Sequence, residues 1–367
     1  MLKKIVISAA TLLLLCMGAI AIFASYLDWT TPENLTKTTY SQLSYLAGKP
    51  AVKGKVLAIV TSTPSMQVPA KDGFKTKEAG FELTELARAY AVFIANGYDV
   101  DVASPLGGAA TFVQDEDDMG SYDYAFLNDS QAMDKVRNTL KISNVSVEDY
   151  DALYLVGGKG TMFDFRNNAS LQRLISESWS RGAVVSAVCH GPAALLGVEL
   201  ADGSQLLAGK RITGFSNAEE LLLIPQAEQV FGSLLEDELR EAGAKVVVGP
   251  DYLEQIAIDG RLISGQNPWS VWALADAVVA ALGETPAPRD LTGEELAVNV
   301  MGIYQRHGLE QAVSALQALS TDEKTSLARN LIAIHIFVSS KKGQWSEALD
   351  LFELLRVASR LAVGSRS

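Results

Sequence analysis

Only one thiol in the body of this chain is placed to do chemistry. Cys189 ends the run Ala183–Val188 (AVVSAV), whose only polar side chain is Ser186, and it is followed at once by His190, Gly191 and Pro192. A cysteine at the point where a strand turns sharply stands clear of the sheet with its sulfur presented. Gly191 permits the tight turn and Pro192 suits a first helical turn. The Ala/Leu-rich stretch beyond reads as a helix whose positive end favours thiolate. A free cysteine is often an inert core residue. An adjoining imidazole and a turn directly after a strand favour a nucleophile instead.

The rest of the inventory narrows the chemistry. The chain has two cysteines and three histidines. Cys16 lies in an N-terminal apolar run, so the body holds no disulfide and no cysteine-based zinc site. His307 and His335 stand apart as ordinary helix residues, and neither a metal nor a cofactor is expected. The loop Gly157-Gly158-Lys159-Gly160 lacks the spacing of a dinucleotide or phosphate loop. A net charge of −12 with no basic stripe argues against a nucleic-acid partner. Asp115–Asp118 reads as a solvated acidic loop.

The elements that must hold these residues alternate between strand and helix. Lys55–Ser62 is a β-branched run typical of a buried strand. Phe81–Asn96 has helical spacing and stops at Gly97. Tyr98–Ser104 reads as a strand that halts at Pro105-Leu-Gly-Gly, and residues 109–150 as a polar excursion with some helix. Asp151–Val156 runs as a strand into the glycine loop, and Leu171–Arg181 is helical. Further strands are expected at 244–249 and 261–265, and helices at 217–242 and 268–282. Such alternation implies an α/β fold with a parallel sheet sandwiched by helices, and ligand sites at the carboxyl ends of its strands. The Cys-His pair and the glycine loop both fall there.

Outside this body, Lys3 and Lys4 precede Ile5–Ala24, twenty residues without a charge. That length suits a transmembrane helix, and the flanking charge places the body outside the cytoplasm. Secretion after signal cleavage is the alternative, although Ala19 and Ala21 lie inside the run and Ile22 suits a cleavage site poorly. The expected organisation is an anchor or signal segment over 1–28, a linker over 29–52, the α/β domain over 53–285 and a helical region over 286–367. Thr285-Pro-Ala-Pro-Arg marks the last boundary. Residues 343–355 faintly resemble a tetratricopeptide-type helix, in a single copy only.

Four stretches together carry a family resemblance. AVCHGP (187–192) resembles the nucleophile elbow of the DJ-1/PfpI superfamily, which has the flavodoxin-like, class I glutamine amidotransferase-like fold. GFELTELA (80–87), VGGKGTMFD (156–164) and ITGFSNAEE (212–220) match its other motifs in order, and LISGQNPWS (262–270) fits the close. The resemblance is nearest to the branch of heat-shock chaperones with glyoxalase III activity. It implies Glu85 as a carboxylate beside the thiol, with Glu82 and Glu78 as neighbouring alternatives. It implies Glu220 as the acid behind His190, with Glu219 one residue away. It implies the backbone of Gly158, Gly160 and His190 as the oxyanion and substrate site. Lys159 is a departure, standing where that branch often has His.

The activity so implied is glutathione-independent conversion of methylglyoxal to lactate, with Cys189 attacking the aldehyde and Glu85 moving a proton between carbons. A cysteine amidase or peptidase acting on a small amide, and a non-enzymatic redox-sensing stress chaperone, are the rivals. A homodimer is among the expected assemblies.

Overall fold

The computed structural model describes residues 23–28, 34–48, 50–115 and 118–364. It divides the chain into two compact units. One comprises residues 34–290, and the other residues 291–367 together with the segment up to Glu33.

The larger unit is built on seven strands: β1 (Gly54–Ile59), β2 (Tyr98–Ser104), β3 (Leu140–Lys141), β4 (Ala152–Leu155), β5 (Val184–Val188), β6 (Ile256–Asp259) and β7 (Leu262–Gly265). Their order across the sheet is β6-β7-β5-β4-β1-β2-β3. All neighbours are parallel except β6, which runs antiparallel to β7. Both β4 and β5 are buried along their whole length, as a central strand covered on two faces requires. Helix α1 (Leu83–Ala95), α2 (Ala169–Ser180), α3 (Asn217–Leu223) and α4 (Val271–Ala281) belong to this unit. The carboxyl ends of β4 and β5 lead into Gly157 and Cys189, so two neighbouring strands deliver the glycine loop and the thiol side by side.

Several elements differ from the sequence reading. The stretch 217–242 is three short helices, Asn217–Leu223, Ala227–Phe231 and Leu235–Glu241. Pro225 interrupts the first pair, and Gly232 ends the second helix at a left-handed φ of 83°. Residues 34–48, read as linker, form three 3-10 turns in this unit. Tyr40 and Leu46 are buried there, and the Tyr40 ring stacks on Tyr90 of α1 at 6.3 Å. Asp118, read as part of a solvated loop, is an ion-pair partner of the buried Arg88 at 3.7 Å, and Asp123 pairs with the same guanidinium at 3.4 Å.

The helix expected after Cys189 is also absent. Gly191–Leu195 is a five-residue 3-10 turn, so no long helix axis points at the sulfur. Its tight path follows from close packing: a Cβ on Gly191 would lie 2.2 Å from the Leu155 carbonyl oxygen.

The smaller unit contains α5 (Gly293–His307), α6 (Leu309–Ala318), α7 (Thr321–Ser326), α8 (Arg329–Lys341) and α9 (Trp345–Gly364). The transmembrane helix expected over residues 5–24 is corrected here. Among the described residues, no helix is long and apolar enough to cross a membrane. Only Phe23 and Ala24 of that run are described, and the remainder lies outside the described residues. The Phe23 ring stacks on Phe352 of α9 at 6.2 Å, and Asp28 is ion-paired with Arg329 of α8. The end of the apolar run therefore rests against protein, where apolarity alone suggests lipid. The anchored, extracytoplasmic body expected from that span has no spanning helix to rest on among the described residues, and Ala19, Ala21 and Ile22, on which the secreted alternative turned, lie outside them.

Candidate active site

The site is assembled around a strained turn. Cys189 adopts φ 57°, a region that L residues other than Asn and Asp rarely enter. Two backbone bonds hold it there: its N–H donates to the Gly265 carbonyl at 2.9 Å, and its carbonyl accepts from the Phe215 N–H at 2.8 Å. The strain is thus fixed by β7 on one side and by the segment before α3 on the other.

His190 and Glu220 complete one side of the thiol. The Cys189 Sγ lies 3.2 Å from His190 Nδ1, and His190 Nε2 lies 2.5 Å from Glu220 Oε2. All three residues are buried. The Phe215 ring packs against the imidazole with centroids 4.7 Å apart. A carboxylate on Nε2 keeps the proton there and leaves Nδ1 bare to accept one from the thiol.

Glu85 occupies the other side. It lies in the first turn of α1, wholly buried, and its Oε2 accepts from the Gly157 N–H at 2.7 Å. Its Oε1 is buried without a hydrogen-bond partner. Burial pushes this carboxyl up to about 7, against the lowering effect of hydrogen bonds from Cys189 and Gly157. The Cys189 thiol is itself raised, by burial first and then by the Glu85 charge and hydrogen bond. The helix-dipole activation expected for this thiol is therefore corrected: its surroundings hold the proton on, and His190 is the group placed to take it off.

The ambiguities among carboxylates close on geometry. Glu220 meets His190, whereas Glu219 is turned away and accepts from the Tyr252 N–H at 2.7 Å, Asn267 Nδ2 at 2.8 Å and the Ser216 N–H at 3.0 Å. Glu85 meets the thiol, whereas Glu78 is exposed on a β-hairpin strand. Glu82 sits at the start of α1, partly buried, and is raised to about 8 by burial and then by Glu85.

The glycine loop divides its duties. Neither the Gly158 N–H nor the His190 N–H donates a hydrogen bond among the described residues, so both remain available as donors. Gly160 faces elsewhere: a Cβ there would lie 2.3 Å from the Ala79 carbonyl oxygen. Two contributors escape the sequence reading, Phe215 on the imidazole and the Gly157 amide on Glu85, although both lie inside stretches whose motifs carry the resemblance.

Gly157 is the tightest of these positions. A Cβ there would lie 2.6 Å from Glu85 Oε2 and 2.7 Å from Cys189 Cβ, closer than side chains approach. Gly157→Ala is expected to wedge the carboxyl and the thiol apart. Overpacking of this kind costs about 1–3 kcal/mol. Turnover should fall at least about 100-fold, since displacements of 1 Å at a reacting group cost that much. Denaturant melts beside initial rates would check both.

The sheet order and the strained Cys189, set between His190 and Glu85 at the end of a central strand, define an α/β protein with a buried thiol site. The chain belongs to the DJ-1/PfpI family, whose model matches residues 76–281. It is 33% identical over 245 residues to the glutathione-independent glyoxalase HSP31 of Saccharomyces cerevisiae, an alignment that covers 62% of this chain and 98% of the relative. It is 32% identical over 221 residues to glyoxalase 3 of Candida albicans, covering 56% of this chain and 90% of that protein. The crystal structure of glyoxalase III from Candida albicans superposes with a TM-score of 0.57 at 29% identity, covering 63% of this chain and 98% of that chain.

Proposed function

We propose that this protein is a glyoxalase III-like enzyme that converts methylglyoxal and water to lactate without glutathione. The observation that carries the reading is a thiol flanked by an imidazole–carboxylate pair on one side and by a separate buried carboxyl on the other.

Each group has one task. Cys189 Sγ attacks the aldehyde carbon while His190 Nδ1 takes the thiol proton, and Glu220 stabilises the imidazolium. The N–H groups of His190 and Gly158 receive the oxygen that becomes negative. Glu85 then removes the hydrogen on the attacked carbon as a proton and returns a proton to the neighbouring carbon. This turns the hemithioacetal into a thioester of lactate. The first carbon is oxidised as the second is reduced, so the step balances without an outside oxidant. Water releases lactate and restores the thiol. A carboxyl at about 7 is suited to this shuttle, because both of its forms are populated near neutral pH.

The test is direct. The full chain, incubated with methylglyoxal and no glutathione, is expected to release one lactate per aldehyde consumed. Loss of aldehyde without lactate, or release of ammonia from small amides in its place, would overturn the reading.

A further inference from the structure

The glycine loop carries one charge for which methylglyoxal has no use. Lys159 stands between Gly158 and Gly160 and is only partly buried. The loop is packed against the thiol and Glu85 on one side and against residues 80–82 on the other. Gly157 packs against Cys189 and Glu85, and a Cβ on Gly158 would lie 2.7 Å from the Glu82 nitrogen. The Glu82 N–H in turn donates to the Gly157 carbonyl at 3.3 Å. The Lys159 charge is felt at all three neighbours, lowering Cys189, Glu85 and Glu82 alike. Yet none of the ion pairs among the described residues includes it. The other cation felt at Glu85 is Arg88, which is committed to Asp118 and Asp123.

A ligand cation matters more on this chain than on most. The protein carries a net charge of −12, so an anionic substrate is repelled until a local positive charge receives it. Burial and then Glu85 raise Glu82 to about 8, which favours its neutral form and weakens its hold on the ammonium.

From this placement, and resting on the glyoxalase III-like reading, we infer that Lys159 selects α-oxoaldehydes bearing an anionic group beyond the ketone. Cys189 holds the aldehyde end and Lys159 receives the anion. The chemistry is that of methylglyoxal: the aldehyde carbon is oxidised to the acid, the ketone is reduced to the alcohol, and one water is added. From 4,5-dioxopentanoate the product is 2-hydroxyglutarate.

The experiment compares kcat/KM for 4,5-dioxopentanoate with that for 2-oxopentanal, a neutral aldehyde of the same chain length, with methylglyoxal as reference. The full-length protein is expected to favour the anion by about 10- to 100-fold, the range of a charge-assisted hydrogen bond. Lys159→Met should collapse that ratio to near one and Lys159→Arg should keep most of it, while circular dichroism follows folding in each. Equal use of both five-carbon aldehydes, or a ratio unchanged in Lys159→Met, overturns the inference and leaves the glyoxalase reading intact. Failure to turn over any of the three aldehydes overturns both.

Discussion

Cys189→Ser is expected to form no measurable lactate from methylglyoxal, a loss of at least about 1,000-fold, with the fold retained. The thiol is the only cysteine sulfur among the described residues, and it is buried at 3.2 Å from the imidazole that would deprotonate it. A hydroxyl in its place is a far weaker acid and a poorer nucleophile, and removal of a covalent nucleophile typically costs several orders of magnitude. Serine keeps the shape and can bond to either His190 or Glu85, so no cavity opens. The unusual φ of 57° is imposed on both residues alike and does not separate them. Lactate release measured beside thermal melts would check the two halves together. A serine protein with a tenth of the parent rate would move the chemistry to another group.

The parts of this site that a sequence reveals are those set by local pattern. The apolar run Val184–Val188 ending in Cys-His-Gly-Pro places a thiol at a strand end, and the helical spacing after Phe81 puts Glu85 in a first turn. The family motifs added the pairing of Glu220 with His190, which no periodicity contains.

What stayed hidden depends on contacts distant in sequence. The stretch after Pro192 has the composition of a helix, but the close approach of Gly191 to Leu155 on a neighbouring strand ends it as a 3-10 turn. The thiol's surroundings follow the same rule. Burial against Glu85 decides its proton affinity, and burial is a property of the folded chain. Arg88 reaches Asp118 and Asp123 across 30 and 35 residues, so the acidic excursion looks solvated until the partner is seen. Phe23, at the end of the apolar N-terminal run, reads as lipid-facing for a like reason, since its ring meets Phe352 from the far end of the chain. The short strand Ile256–Asp259 gave too few residues for alternation to register.

Glu85→Gln should separate stability from activity. Glutamine keeps the size of the side chain and an oxygen for the Gly157 N–H, but it can neither accept the carbon-bound proton nor return it. Turnover of methylglyoxal is expected to fall about 100- to 10,000-fold, the usual worth of a placed acid–base group. Stability should move the other way. The carboxyl's ordinary value is 4.5 and the fold raises it to about 7, so between those values the folded state binds more protons than the unfolded chain. Stability of the parent therefore declines as pH rises through that window. Each pH unit of the window is worth about 1.4 kcal/mol, so the ionised carboxylate costs the fold roughly 3 kcal/mol above pH 7. Glutamine carries no such cost. Urea melts at pH 4.5 and pH 8 should show parent and variant nearly equal at the first and the variant more stable at the second. A variant no more stable at pH 8 than at pH 4.5, relative to its parent, would mean that Glu85 is not held against ionisation. Near-normal turnover would remove it from the proton transfer and leave Glu82, three residues back at the start of α1, as the carboxylate to replace next.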